Sequence, residues 1–267
     1  MEKIIAIDVD GTLLNDDRKI SQRTKNSLIR IREAGHKLVI ASGRDYSGTE
    51  FIAKELDFDR YGGFLSNFNG GRITDYHTGE IIANHTLSLD FMREFLDFIR
   101  DLDIDIMIYY EGKIFTNSMD TYLLHETASM NNMEIVLREN LIDDIDFEPN
   151  NILLSQDPSR IDPPSQKIYE KFGDVSTQVK STPWYYEIMP KGINKGKSLM
   201  EIADYYKTDP ANTIAFGDEM NDYSMIEAAG VGVAMGNAVE GIKEIADYVT
   251  LSNNEDGIAS YIEEFIL

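Results

Sequence analysis

The chain contains no cysteine, and its 25 lysines and arginines are far outnumbered by 47 aspartates and glutamates in 267 residues. Without cysteine there can be no disulfide, no thiolate metal ligand and no cysteine nucleophile. The shortage of positive charge leaves a formal net charge of −22, spread along the whole chain. Such a field repels nucleic acid and anionic membrane surfaces, which excludes both as partners. No apolar run approaches the roughly 20 residues of a membrane span, and the first residues lack the basic flank, apolar stretch and cleavage site of a signal peptide. A cytoplasmic protein is expected. There is no internal repeat, and no G-x-G-x-x-G follows the first apolar run, so a dinucleotide enzyme is not indicated.

What is present is a substantial apolar fraction, 42%, enough for one large domain or two unequal ones and too high for disorder. Residues 3–8 read as a buried strand. Ser21 can cap a helix that places Leu28 and Ile31 on one face and stops at Gly35, and 37–41 form a second strand. This βαβ unit implies a parallel sheet with its ligand site beyond the carboxyl ends of the strands. The same rhythm returns near the other end, with strands at 213–216 and 231–234 and a helix near 221–229 between them. The expected core is therefore a Rossmann-like parallel α/β sheet built from residues 1–83 and 189–267.

Residues 84–188 read differently. A helix over 89–102, two strands around a Glu111-Gly112 turn and an aromatic strand in TPWYYEIM suggest an inserted α+β module with an antiparallel sheet. DPSRIDPPS, the one proline-rich segment, is expected to be a loop leading into a helix, and SNFNGGRITDY a small hairpin turning at Asn69-Gly70.

Four stretches carry chemistry. In DVDG, Asp8 and Asp10 project to one side where a buried strand ends. Two like charges so close call for a compensating cation, and a hard divalent ion with oxygen ligands fits; an acidic turn without function would read the same. In ASGR, Ser42, Gly43 and Arg44 bring a hydroxyl, backbone N–H groups and a guanidinium to the same sheet edge, as a phosphoryl group requires, although Ser-Gly is also ordinary turn chemistry. In GDEMND, Asp218 ends another strand, with Asn221 and Asp222 at the next helix start. In GINKGKSL, Lys195 stands at a helix N-terminus, where a cation is unfavourable unless an anion lies close. Lys191 and Lys197 are read as solvated.

In this order the D-x-D-G-T, S-G-R, N-K-G and G-D-x-x-N-D segments resemble the four motifs of the haloacid dehalogenase (HAD) superfamily. The large insertion between the second and third resembles its Cof-type branch, sugar-phosphatase-like hydrolases with a C2 (type IIB) cap. The resemblance spans essentially the whole chain. It implies a phosphoric monoester hydrolase with Asp8 as nucleophile and Asp10 as general acid and base. It also implies Mg²⁺ held by Asp8, the Asp10 carbonyl, Asp218 and Asp222. Ser42 and Lys195 would grip the phosphoryl group, with Asn221 helping, and Lys195 would offset charge on Asp8. Asp10 argues against carbon–halogen cleavage, since dehalogenase-type members lack it. Asn69 and Gly70 are substrate-side candidates or a plain turn, and Glu187 is a substrate contact or an ordinary surface residue. The implied partner is a small phosphorylated metabolite, with no obligate protein partner. A phosphomutase, or a receiver-like module phosphorylated by a kinase, are the competing readings.

Overall fold

A computed structural model describes residues 2–267. In chain order its strands are β1 (Ile4–Asp8), β2 (Lys37–Ala41), β3 (Phe64–Asn67), β4 (Arg72–Asp75) and β5 (Ile81–Asn84). Next come β6 (Asp105–Tyr110), β7 (Lys113–Thr116), β8 (Glu134–Leu137), β9 (Ile152–Ser155), β10 (Ser176–Thr182) and β11 (Tyr185–Pro190). The last are β12 (Thr213–Gly217), β13 (Val231–Ala234) and β14 (Tyr248–Val249). No helix among the described residues is long and apolar enough to cross a membrane.

The chain divides into two compact units. The first runs to Gly43, resumes over Thr49–Ala83 and ends with Asn194–Leu267; the second comprises Arg44–Gly48 and Asn84–Ile193.

The first unit is built on an eight-stranded sheet of order β14-β13-β12-β1-β2-β3-β4-β5. From β14 through β3 the neighbours are parallel, and the β3–β4 hairpin is antiparallel. Every residue of β1 and of β12 is buried, which is why both read as unbroken apolar runs instead of alternating ones. From β1 the chain steps outward through β2 and β3; β12, β13 and β14 step outward the other way. The reversal at β1 opens a crevice at the carboxyl ends of β1 and β12, the usual ligand position in such sheets.

Local chemistry sets the surrounding helices. Ser21 caps the helix Gln22–Glu33 by accepting from Thr24 N at 3.0 Å, and Leu28 and Ile31 are fully buried. Asn194 caps Lys195–Tyr206 by accepting from Lys197 N at 2.8 Å. Near residue 221 the expected helix is shorter: a 3-10 turn, Met220–Asp222, precedes the α-helix Tyr223–Ala228. The Asp222 carboxylate is the cause, because it draws the N–H groups of Asp218 and Glu219 onto Oδ2 at 2.9 and 3.2 Å and tightens the entry.

The second unit holds a six-stranded sheet of order β10-β11-β9-β6-β7-β8. It is antiparallel except at β7–β8, which is parallel. The exception follows from the helix Leu124–Asn131 between those strands, a crossover that returns the chain in the same direction. The helices Leu89–Ile99 and Asp162–Phe172 share an apolar core with Ile106, Ile108, Ile152, Leu154 and Ile188. Phe172 lies 5.2–5.5 Å from the rings of Phe91, Phe95 and Phe98. The first of these helices stops at Ile99, three residues short of the sequence expectation, where Leu102 N turns back onto Ile99 O at 2.9 Å.

Candidate active site

At the carboxyl edge of the first sheet, strand pairing sets the neighbours. Asp8 is the last residue of β1 and pairs with Ala41, the last of β2; Gly217 ends β12 and delivers Asp218 beside it. Carboxylate oxygens of Asp8, Asp218 and Asp222 all lie within 4.8 Å of one another, and the three residues are buried. Lys195, with no exposed surface, reaches between two of them: Nζ is 2.6 Å from Asp8 Oδ1 and 2.6 Å from Asp222 Oδ1. A lysine at a helix start is thus satisfied by two carboxylates.

The surrounding groups hold this cluster rigidly. Thr12 Oγ1 donates to Asp218 Oδ1 at 2.7 Å. Gly11 has φ +82°, and a Cβ there would lie 2.2 Å from Asp218 Oδ2; the position needs glycine for both reasons. Serines brace Lys195, with Ser66 Oγ donating to Ser198 Oγ at 2.8 Å and Ser198 Oγ donating to the Lys195 carbonyl at 2.9 Å.

Burial together with crowding of like charge governs the protonation. Burial, then repulsion from Asp222, pushes the Asp8 carboxyl well above the usual range against the pull of Lys195. Burial and then Asp222 push Asp218 up to about 7, partly countered by the Thr12 hydrogen bond. Burial alone would lower Lys195, but Asp222 and Asp8 outweigh it and hold the ammonium charged. Three carboxylates facing one ammonium leave an excess of negative charge when ionised. The donor set is all hard oxygen, and its spread is compatible with the ~4 Å that separates opposite ligands around a Mg²⁺ ion. These residues fit a hard divalent cation.

The other sequence-derived candidates fall in three places. Ser42, buried, is tied to the hairpin: Ser42 N donates to Ser66 O at 2.8 Å and its carbonyl accepts from Asn69 N at 2.9 Å. Asn69 is buried in the left-handed conformation, φ 52°, and its Oδ1 accepts from Asn221 Nδ2 at 3.2 Å. Ser42, Asn69 and Asn221 therefore form one polar chain, with Gly43 closing the segment after β2. Gly70 has a backbone reason of its own, since φ is +97° and a Cβ would lie 2.5 Å from Asn194 O. Asp10 is exposed, two residues beyond β1, outside the buried triad.

Two candidates belong to the second unit. Arg44 is buried there and donates from Nη1 to Gly48 O at 3.2 Å. Glu187 is also buried, on β11, where Oε2 accepts from Asn151 Nδ2 at 3.3 Å; it is not the exposed residue that one reading of the sequence allowed. Lys191 and Lys197 are exposed, as expected, with Lys197 3.8 Å from Glu201. Thr12 and the serine pair were missed, although Thr12 lies within the D-x-D-G-T segment and was legible there.

Residues 5–262 match the haloacid dehalogenase-like hydrolase family, and the chain belongs to it. It is a HAD-type phosphatase. Among its relatives, the 5-amino-6-(5-phospho-D-ribitylamino)uracil phosphatase YitU of Bacillus subtilis is 32% identical over 273 residues, covering 98% of this chain and 97% of that protein. A haloacid dehalogenase-like hydrolase from Bacteroides thetaiotaomicron superposes with a TM-score of 0.90 at 34% identity over the full length of both chains. The HAD subclass IIB sugar phosphatase BT4131 superposes with a TM-score of 0.83 at 22% identity, covering 98% of each chain, and shows the same fold.

Proposed function

We propose that the protein is a Mg²⁺-dependent phosphatase that hydrolyses small phosphorylated metabolites, sugar phosphates among them, through an aspartyl phosphate on Asp8. The observation that carries this reading is the buried Asp8, Asp218 and Asp222 cluster with Lys195 set between two of its members. Asp8, the Asp10 carbonyl, Asp218 and Asp222 would hold Mg²⁺, which supplies electrostatic stabilisation of the phosphoryl oxygens. Asp8 attacks phosphorus, splitting one hard displacement into two easier ones. Asp10 gives its proton to the departing alkoxide and then takes one from the attacking water, a contribution of roughly 10² to 10⁴ in rate. Lys195 screens Asp8 and, with Ser42, Gly43, Asn69 and Asn221, lines the phosphoryl side.

The second unit acts in this proposal as the inserted cap that selects the leaving group, with Arg44 and Glu187 as substrate contacts. The name of the Bacillus subtilis relative, a phosphatase of a phosphorylated ribityl compound, supports a polyol phosphate as the substrate class.

Purified protein should release inorganic phosphate from para-nitrophenyl phosphate with Mg²⁺, stop on EDTA, and then rank a panel of sugar and polyol phosphates above the aryl ester. Sustained phosphate release separates hydrolysis from mutase chemistry, and turnover without a partner protein separates it from signalling. Undiminished turnover by Asp8→Asn protein would overturn the reading.

A further inference from the structure

The loop that carries Asp10 is fastened from the far end of the chain. Asn237 Nδ2 donates to Gly11 O at 2.8 Å and lies 3.5 Å from Asp218 Oδ2. Its Oδ1 accepts from Asn253 N at 3.0 Å, and Asn253 Nδ2 donates to Leu14 O at 3.0 Å. Asn254 Oδ1 accepts from Asp16 N at 3.1 Å. Three side-chain amides, more than 220 residues away in sequence, thus grip the stretch 11–16 at three successive points.

The grip has a firm base. Asn237 follows β13, and Asn253 opens a 3-10 turn after β14, in which Ser252 and Glu255 form a reciprocal cap. The two segments are joined where Gly236 N donates to Leu251 O at 3.0 Å, so close that a Cβ on Gly236 would lie 2.7 Å from Ser252 N. Asp10 by contrast is exposed and precedes a glycine at φ +82°. It pairs with Leu14 in an isolated β-bridge, and the turn between them is closed by Leu13 N donating to Asp8 O at 3.1 Å and Leu14 N donating to Val9 O at 2.9 Å. From outside this turn, Asn237 holds the carbonyl of the residue after Asp10, and Asn253 holds the carbonyl of its bridge partner Leu14.

We propose that Asn237 and Asn253 are positioning residues that aim Asp10 at the leaving-group oxygen. This rests on the reading of Asp10 as the general acid. In the first step Asp8 Oδ forms a bond to phosphorus, the phosphorus–oxygen ester bond breaks with its electron pair on the leaving oxygen, and the Asp10 proton moves to that oxygen. In the second, water oxygen bonds to phosphorus, its proton returns to Asp10, and the Asp8–phosphorus bond breaks to release phosphate. The proton donated in the first step matters most when the leaving group is a poor one, an alkoxide, and least when it is a stabilised phenoxide. Loosening Asp10 therefore has a signature that general damage to the fold lacks.

The test is kcat/KM, which reports the first step, for para-nitrophenyl phosphate and for a simple alkyl phosphate, in wild type, Asn237→Ala, Asn253→Ala and Asp10→Asn proteins. The two asparagine variants should lose about 5- to 10-fold more on the alkyl than on the aryl ester, a smaller share of what Asp10→Asn loses. Equal losses on both esters, or no loss on either, while Asp10→Asn discriminates strongly, would overturn the inference alone. A flat response from Asp10→Asn would overturn the reading of Asp10 and the inference with it. The aryl ester measures active protein in each sample, and Asn253→Ala, which touches Leu14 and not Asp218, carries the test should Asn237→Ala fold poorly.

Discussion

Replacing Lys195 by methionine removes the one ammonium that lies 2.6 Å from both Asp8 and Asp222 while keeping an unbranched side chain shorter by a single atom. The cost can be bounded in two ways. Removing one partner of a buried ion pair costs about 3–5 kcal/mol. The protein can limit that loss by binding a proton instead: neutralising a carboxyl with the ordinary value of 3.8 at pH 7 costs about 4 kcal/mol, at ~1.4 kcal/mol per pH unit. The two bounds agree, so a deficit of about 4 kcal/mol is expected at pH 7 without metal, or a fall in melting temperature of about 10 °C at ~2–4 °C per kcal/mol. The sign with pH follows from linkage. A carboxyl whose folded pKa is raised, as for Asp8 and for Asp218 at about 7, loses stability as pH rises from about 4 through the folded value. Losing Lys195 raises these values further, so the deficit should be small at pH 5 and largest at pH 8. Mg²⁺ should recover more in the variant than in wild type. Calorimetric scans in EDTA and in Mg²⁺ at both pH values measure all of this. A Lys195→Met protein that melts within about 2 °C of wild type at pH 8 in EDTA would refute the electrostatic reasoning.

Gly11→Ala should cost about 2–4 kcal/mol and most of the activity, because the new Cβ meets Asp218 Oδ2 and the backbone stays at positive φ; thermal scans and phosphatase assays on the same preparation check it. His36 accepts a hydrogen bond from Lys3 N at 3.0 Å, and burial, then Lys3, holds its pKa below the ordinary 6.5. The neutral ring is favoured in the folded state, so its contribution is present above 6.5 and is lost as pH falls towards the folded value. The stability difference between wild type and His36→Asn should therefore shrink below pH 6.5, as urea titrations at pH 5 and 7.5 would register.

Much of this architecture was legible because its chemistry is local. β2 and β13 run over the expected residues, and β1 and β12 differ from expectation by one residue at one end. Parallel strands buried on both faces leave apolar runs with abrupt ends. Lys195 stood out because a cation is wrong for a helix start unless an anion lies close. What stayed hidden depends on chain segments meeting from a distance. Nothing around Asn237 or Asn253 signals that their amides reach Gly11 and Leu14. Gly70 read as turn chemistry, while its closest constraint is the Asn194 carbonyl at the cap of another helix. Arg44, two residues from Ser42, groups with the second unit, and the parallel β7–β8 pair required knowing that Leu124–Asn131 is a crossover.

The most direct measurement of the central claim, that Asp8 takes up the phosphoryl group, is acid-quenched peptide mass analysis of Asp10→Asn protein turning over para-nitrophenyl phosphate with Mg²⁺. Loss of the base that activates water should let the intermediate accumulate, and the peptide containing Asp8 should carry a phosphoryl mass increment that Asp8→Asn protein lacks. A phosphoryl group found on another residue, or full turnover by Asp8→Asn protein with no adduct, would contradict it.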